Sequence, residues 1–199
     1  MAIEDQMANS VRVALPSDVS SVIAVIDNGF SEDPTVRWLH PTYEEFRSLH
    51  HKFVGSCIAQ AIAFGGVHYL TGFEGAAIWY RPGIKFGGTV LEEIASQAAL
   101  PERFEVFFDL LGRCSKFRPA EPYWELELIA VEPGIQGRGF GTMLLEYGLT
   151  ICDQEHAPVY LESSNEDNLK FYNQCGFELL SEVHLSGAPK RFPMIRKAR

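Results

Sequence analysis

Residues 124–142 read Trp-Glu-Leu-Glu-Leu-Ile-Ala-Val-Glu-Pro-Gly-Ile-Gln-Gly-Arg-Gly-Phe-Gly-Thr. The run of branched apolar residues predicts a strand, which ends at the turn Glu132-Pro133-Gly134. After the glycines, apolar residues recur at the helical spacing of Met143, Leu144, Tyr147 and Ile151. The stretch therefore predicts a strand, a glycine-rich loop and the start of a helix, and the rest of the chain is interpreted around it.

Three glycines, Gly137, Gly139 and Gly141, separate the predicted strand from the predicted helix. Without side chains, backbone N–H groups can converge on one anion, and the positive end of the helix dipole adds to the attraction. We interpret the loop as a diphosphate-binding turn. A dinucleotide fingerprint would need a glycine where Thr142 stands, and a nucleotidase-type phosphate loop would need Gly-Lys-Ser/Thr, which is absent.

Two segments of the chain resemble one protein family. Gln136-Gly-Arg-Gly-Phe-Gly141 is similar to the [Gln/Arg]-x-x-Gly-x-[Gly/Ala] motif of the GNAT superfamily of acetyl-CoA-dependent N-acetyltransferases. Residues 165–177, Asn-Glu-Asp-Asn-Leu-Lys-Phe-Tyr-Asn-Gln-Cys-Gly-Phe, resemble its late helix and following strand. The resemblance implies acetyl-CoA as cofactor and a general acid at Tyr172, close to the thioester sulfur. The cofactor-binding residues that it implies are Ile129, Ala130, Val131, Gln136, Gly137, Arg138, Gly139, Phe140, Gly141, Thr142, Asn168 and Tyr172.

The same resemblance implies the fold. We expect an α/β protein whose central sheet is mixed but mostly antiparallel, with six to seven strands, flanking helices and a splayed pair formed by the fourth and fifth strands. Hydrophobic patterns agree with this expectation. They predict strands at 11–15, 67–71, 76–80, 157–162, 177–184 and 191–196, and helices at 19–30, 42–64 and 165–175. We expect a single domain over residues 1–199, with an extra helical segment at 84–118.

Two acidic residues, Glu125 and Glu127, lie in the predicted fourth strand, although acidic residues are depleted in strands. Alternation with period two places both side chains on one face. Partial burial and mutual repulsion would raise the pKa of one of them, as a general base requires. Both are therefore candidate catalytic residues, and solvent-facing or salt-bridged glutamates are the alternative. The alternative for Tyr172 is a core residue of the late helix.

The segment from Phe30 to Pro41 mixes aromatic and charged residues with two prolines. This composition is typical of a loop that lines a substrate, or of a surface loop packed by its own Trp38. Phe30, Trp38 and Trp79 are the candidate substrate-binding residues. The full-length pattern most resembles the puromycin N-acetyltransferases, through Phe30-x-x-x-Pro34, Ala77-Ile-Trp79-x-x-Pro82 and Pro122-x-Trp124. That resemblance implies an aminonucleoside antibiotic or another xenobiotic as acceptor, and a role in antibiotic resistance.

Composition excludes several function classes. The net charge of −9 argues against nucleic-acid binding. We find neither an apolar run of ~20 residues nor a signal peptide, which predicts a cytoplasmic protein without a membrane partner. The four cysteines form no C-x-x-C pair and the histidines no H-x-x-x-H pair, so we expect no metal. A monomer and a homodimer both remain open.

Together these observations predict an enzyme that moves an acetyl group from acetyl-CoA to a primary amine of a small molecule, by direct attack in a ternary complex. Two alternatives remain open. The acceptor could be a protein or peptide amine, or the chain could be a non-catalytic acyl-CoA-binding sensor.

Overall fold

A computed structural model describes residues 10–84 and 88–199 of the chain. Seven strands in this part form one sheet in the order β1-β2-β3-β4-β5-β7-β6, and only the β4–β5 pair is parallel. The predicted mixed, mostly antiparallel sheet is thereby confirmed. The strands are β1 Val11–Val13, β2 Val67–Leu70, β3 Gly75–Tyr80, β4 Trp124–Val131, β5 Val159–Ser163, β6 Glu178–Leu179 and β7 Phe192–Arg196.

Helices flank both faces of the sheet. Three consecutive segments run on as one helix, α3, and the middle segment has π-helical hydrogen bonding. The helices are α1 Val19–Phe30, α2 Pro34–Leu39, α3 Tyr43–Glu45 with Phe46–His50 and His51–Ala61, α4 Gly88–Gln97, α5 Pro101–Cys114, α6 Phe140–Gln154 and α7 Leu169–Gln174. No helix in the described part of the chain is long and apolar enough to cross a membrane.

Two predictions fall partly on residues outside the described part. The expected absence of a signal peptide concerns residues 1–9, and the predicted helical segment at 84–118 includes residues 85–87. The rest of that segment contains α4 and α5, as predicted.

The segment after α1 contains a short helix, α2, in addition to loop residues. Asp33 begins it, because its carboxylate accepts hydrogen bonds from the backbone N–H groups of Thr35 and Val36. Pro34 occupies the first helical position, where its missing N–H group costs nothing. The segment thereby gains a fixed conformation and lines the cavity described below.

The parallel pair β4–β5 is joined over two residue pairs, Trp124 with Val159 and Glu125 with Tyr160. β4 continues six residues beyond Glu125, to Val131, and over this length its pairing is with β3. The predicted splay of the fourth and fifth strands is therefore confirmed. It leaves backbone N–H and C=O groups of β4 facing an opening in the sheet.

A β-bulge interrupts β4 at Glu127. Ile78 of β3 is opposite Leu128 and Trp79 is opposite Leu126, so Glu127 is the extra residue. The alternation of the strand changes there: Leu126 packs in the core beside α6, whereas Leu128 packs in the core beside α1 and α3. The predicted shared face of the two glutamates is retained, and both side chains line the cavity.

The predicted strand 191–196 is confirmed as β7, whereas the predicted strand 177–184 differs from the structure. β6 covers only Glu178–Leu179, and pairing resumes as one isolated bridge between Val183 and Arg191. Both residues of β6 are exposed, and it lies at the edge of the sheet, where strands are kept short because unpaired edges associate with other chains.

Candidate active site

A cavity of about 970 Å³ opens where β4 and β5 separate. We divide its wall into two parts. The loop half is formed by 129–131 of β4, by 136–142 with the first turn of α6, and by 161–172. The helix half is formed by 29–40, by His50 and Phe53 of α3, and by residues of α4 and α5. Glu125 and Glu127 also line the cavity.

The loop half owes its shape to glycines. Gly137 and Gly139 have φ angles of 76° and 91°, in the region that side chains disfavour. A Cβ at either position would meet no atom within 4 Å, so glycine is required there by backbone conformation and not by crowding. Gln136 Nε2 donates a hydrogen bond to the Val131 carbonyl at 3.2 Å, which ties the loop to the end of β4.

The helix α6 begins directly after this loop, with Gly139 as its N-cap. The first N–H groups of a helix have no partner within the helix, and the helix dipole makes this end positive. The N–H groups of a glycine-rich turn and of a 15-residue helix are therefore presented to the cavity wall. This is the chemistry that a diphosphate requires.

The predicted cofactor residues fit an elongated ligand that carries a diphosphate. They line the cavity at Ile129, Ala130, Val131, Gln136, Gly137, Gly139, Phe140, Gly141, Thr142, Asn168 and Tyr172. Arg138 is exposed and does not line the cavity. The length of β4 that does not pair with β5 supplies backbone hydrogen-bonding groups for an amide-containing chain such as pantetheine.

Carboxylates and guanidinium groups form a buried network around β4. Glu125 is 5% exposed, and its Oε1 accepts a hydrogen bond from Arg118 Nη2 at 2.8 Å. The same Arg118 nitrogen lies 3.3 Å from Glu162 Oε1, and Arg191 Nη2 lies 3.4 Å from Glu162 Oε2. Glu125 and Glu162 are thus charge-paired, as the salt-bridge alternative for Glu125 requires.

Glu127 differs from its neighbours in this network. Burial raises its pKa to about 8, and the negative charges of Glu125 and Glu162 act in the same direction. Its carboxyl group is therefore largely protonated at neutral pH and gives up the proton as the pH rises through 8. A raised pKa is the shift that we expected for one of the two glutamates of β4, and in the structure that residue is Glu127.

Tyr172 lies in α7, is 7% exposed and lines the cavity. Its ring packs against Phe171 and Phe177, with centroids 5.0 and 5.9 Å away. Burial raises the pKa of the phenol, and the negative charge of Asp33 adds to the effect. Tyr172 therefore keeps its proton over the physiological range and can act as a donor.

The three candidate substrate-binding residues are in different environments. Phe30 lines the cavity, whereas Trp38 and Trp79 do not. Trp79 is 1% exposed because α6 packs onto its indole at Gly148, where an added Cβ would be 2.3 Å from the ring. Trp38 packs among the side chains beside α5, with the guanidinium of Arg103 5.7 Å from its ring centroid. The two tryptophans are therefore removed from the set of candidate acceptor-binding residues.

The aromatic wall of the helix half comes instead from α5. Phe104 and Phe107 of α5 are buried, and they line the cavity together with Phe108 and Leu111. These side chains of α5 thus pack in the core and also line the cavity. Sequence reasoning missed Arg118, Glu162 and Arg191, since no spacing in the sequence connects them.

Comparisons with known proteins agree with this geometry. A sequence model of the Acetyltransferase (GNAT) family matches residues 24–177. An uncharacterized N-acetyltransferase of Schizosaccharomyces pombe is 26% identical over 191 residues, which cover 89% of this chain and 77% of that protein. A structure described as histone acetyltransferase HPA2 and related acetyltransferase, from Corynebacterium glutamicum, has a TM-score of 0.71 at 21% identity, covering 96% and 97% of the two chains. The polyamine N-acetyltransferase of Drosophila melanogaster has a TM-score of 0.70 at 14% identity, covering 95% and 99%.

Proposed function

The chain belongs to the GNAT acetyltransferase family and is an acetyl-CoA-dependent acyltransferase, and on this premise we propose that its acceptor is the primary amine of a small molecule. The observation that carries the proposal is the pairing, in one cavity, of a diphosphate-binding turn with Glu127, a carboxyl group whose pKa lies near 8. A base with this pKa can take the proton from an ammonium group at neutral to mildly basic pH.

Direct attack by the amine is favoured by what the cavity wall contains. The four cysteines, Cys57, Cys114, Cys152 and Cys175, all lie in the described part of the chain, and none of them lines the cavity. No thiol is therefore available there to carry the acetyl group as an acyl-enzyme. Transfer in a ternary complex needs only a base and an acid from the protein.

The general base and the general acid each have one candidate side chain. Acetyl-CoA supplies the acetyl group as a thioester, whose carbonyl carbon bonds to the amine nitrogen while its bond to sulfur breaks. Glu127 accepts the proton that the ammonium must lose. Tyr172, which keeps its proton because burial raises its pKa, donates to the departing sulfur. Arg118 and Arg191 hold Glu125 and Glu162 as ion pairs, so Glu127 is the carboxyl group left to exchange a proton.

The residues that line the helix half favour a small-molecule acceptor and not a protein chain. α4 and α5 lie beside the cavity, and Leu91, Ile94 and Phe104 turn apolar side chains toward it. A similar fold is found in an enzyme described as a polyamine N-acetyltransferase that catalyses the formation of N-acetylagmatine. We extend the proposal to aminonucleoside and other xenobiotic amines, and to a cytoplasmic location, which the free cysteines favour.

Thiol release from acetyl-CoA tests the proposal directly. The purified protein is assayed against puromycin, spermidine, agmatine, an aminoglycoside, phenethylamine, tyramine and a basic peptide. We expect turnover with at least one small amine, and no turnover above background with the peptide. Turnover confined to the peptide would overturn the acceptor class, and binding of acetyl-CoA without turnover on any amine would support the sensor alternative.

A further inference from the structure

A buried histidine in the helix half takes no part in the chemistry proposed above. His50 is 2% exposed and lines the cavity. Its Nδ1 lies 2.7 Å from Asp27 Oδ1, whereas its Nε2 is buried and has no hydrogen-bond partner among residues 10–84 and 88–199. An unpaired buried polar atom costs free energy unless a ligand or solvent satisfies it.

The orientation of the His50 ring is fixed on several sides. The rings of Phe46, Phe30 and Phe53 lie 5.1, 5.7 and 6.0 Å away, measured between centroids. Asp27 is itself held on its other oxygen by His51 Nδ1 at 3.0 Å. A carboxylate accepts from a ring N–H group, so Nδ1 of His50 donates to Asp27, and in a neutral imidazole Nε2 is then left as an acceptor.

A second unpaired polar atom lies in the same wall. Thr35 is 3% exposed, lines the cavity, and its Oγ1 has no hydrogen-bond partner in the described part of the chain. Its position is set by the N-cap bond from its backbone N–H to Asp33 Oδ1 at 2.9 Å. A hydroxyl group can both donate and accept, so Thr35 and His50 present two unpaired polar atoms to the cavity from segments that pack against each other, Pro34–Leu39 and Phe46–His50.

The surroundings of these two atoms are aromatic and aliphatic. Phe30, Leu39, Phe53, Phe104 and Phe107 line the same half of the cavity. A flat ring can pack against such a wall, whereas a second ammonium group would lose its water there. Asp33, the half-buried carboxylate of this half, already accepts hydrogen bonds from Thr35, Val36 and Ser164. Glu32 and Glu92 also line the cavity but are exposed.

We propose that the helix half contains a hydroxyl-recognition subsite, in which His50 Nε2 and Thr35 Oγ1 bind a hydroxyl group on the ring of an arylalkylamine acceptor. The subsite rests on the proposed function, because it positions the far end of the molecule whose amine is acetylated. Asp27 is a positioning residue, which fixes the proton on Nδ1 so that Nε2 accepts. Arylalkylamines with a ring hydroxyl are accordingly preferred over those without one.

The test compares tyramine with phenethylamine, which differ only by the hydroxyl group. We expect the wild-type kcat/KM to favour tyramine by about 10- to 100-fold, because an unsatisfied buried site discriminates against a missing hydroxyl. In His50→Phe the preference falls to within about threefold, through a loss on tyramine, since phenylalanine suits the surrounding rings. Thr35→Val, which keeps the side-chain shape, reduces the same preference and serves if His50→Phe does not fold.

A third variant tests the role of Asp27. In Asp27→Asn the amide can donate to Nδ1 and move the ring proton to Nε2, which then no longer accepts from a substrate hydroxyl. The preference for tyramine over 4-methoxyphenethylamine is therefore expected to shrink by about 3- to 10-fold relative to wild type, whereas a purely structural role would lower both rates equally.

The outcomes separate the two proposals. Equal kcat/KM for tyramine and phenethylamine in the wild type overturns the subsite and leaves the proposed function standing. Turnover of spermidine or agmatine with neither arylalkylamine accepted also overturns the subsite alone. No turnover with any amine overturns the proposed function, and the subsite falls with it.

Discussion

The two halves of the cavity are built from different parts of the polypeptide. The loop half presents mainly backbone, through the length of β4 that does not pair with β5, the glycines before α6 and the first turn of that helix. The helix half presents side chains from α2, α3, α4 and α5, which are far apart in the sequence. A backbone-built half suits a ligand that stays the same across a family, and a side-chain-built half suits an acceptor that varies.

Electrostatics also separates the diphosphate-binding turn from the carboxylates of β4 and β5. The loop half offers N–H groups and a helix dipole to a diphosphate, whereas the carboxylates of Glu125 and Glu162, on β4 and β5, are matched by Arg118 and Arg191. Only Glu127, the extra residue of the bulge, has its pKa raised to about 8. The predictions below change one half or one role at a time.

The largest effect is expected for Glu127→Gln, which removes the proposed base and keeps the side-chain volume. We expect kcat/KM for the best amine to fall about 100- to 1,000-fold, because positioned bases contribute at this level. The affinity for coenzyme A, measured by calorimetry, should change less than about twofold, since the loop half is untouched. Steady-state kinetics at pH 8 checks the first result.

Glu125→Gln is the matched control, because the residue lies two positions away and its carboxylate is already paired with Arg118. A smaller loss of kcat/KM is expected there, accompanied by a lower melting temperature because Arg118 loses a partner. If Glu125→Gln reduced kcat/KM more than Glu127→Gln does, the two glutamates would have to exchange roles.

A smaller effect is expected for Tyr172→Phe. The hydroxyl group is lost while the ring keeps its packing against Phe171 and Phe177. We expect kcat to fall roughly 10- to 50-fold with coenzyme binding nearly unchanged, because a thiolate leaves readily and needs less help from an acid. Unchanged kcat would remove Tyr172 from the mechanism and leave it as a core residue.

The smallest effect is expected in the loop half, for Gly139→Ala. The φ angle of 91° disfavours alanine by about 1–2 kcal/mol, so the loop shifts toward conformations in which its N–H groups no longer converge. The Kd of coenzyme A should rise about 5- to 10-fold, whereas the KM of the amine should stay within about twofold.

Gly187→Ala is the control for backbone strain. Gly187 has a φ of 81° and open space around its Cβ position, as at Gly139, but it does not line the cavity. Its substitution should lower stability by a similar amount and leave the Kd of coenzyme A unchanged. A weakened coenzyme affinity in both variants would mean that strain alone, and not the loop, explains the effect.

The sequence was sufficient for the loop half, because its features are local. The strand 124–131, the turn after it and the glycines before α6 all follow from residue type and spacing, and the structure contains each of them. The splay of β4 from β5 could be expected only through the family resemblance. The bulge at Glu127 could not be predicted, since it arises from register against β3.

The helix half was harder to predict because its contacts span long sequence separations. His50 and Asp27 are 23 positions apart, and Arg103 and Trp38 are 65 apart. The π-helical segment Phe46–His50 interrupts a pattern that was interpreted as one regular helix. Trp79 was expected to contact the substrate, because size and aromatic character do not reveal which face of a strand a residue occupies. In the structure its side chain packs in the core beside α6.

The most direct test of the account is a titration of the Glu127 carboxyl group itself. Its carbon resonance is followed by NMR in protein labelled with ¹³C at the glutamate side-chain carboxyls, and assigned by its absence in Glu127→Gln. The account predicts a midpoint at about pH 8, with the kcat/KM of the wild type rising over the same interval because the base must be ionised. A midpoint near the ordinary glutamate value of about 4.3 would contradict it.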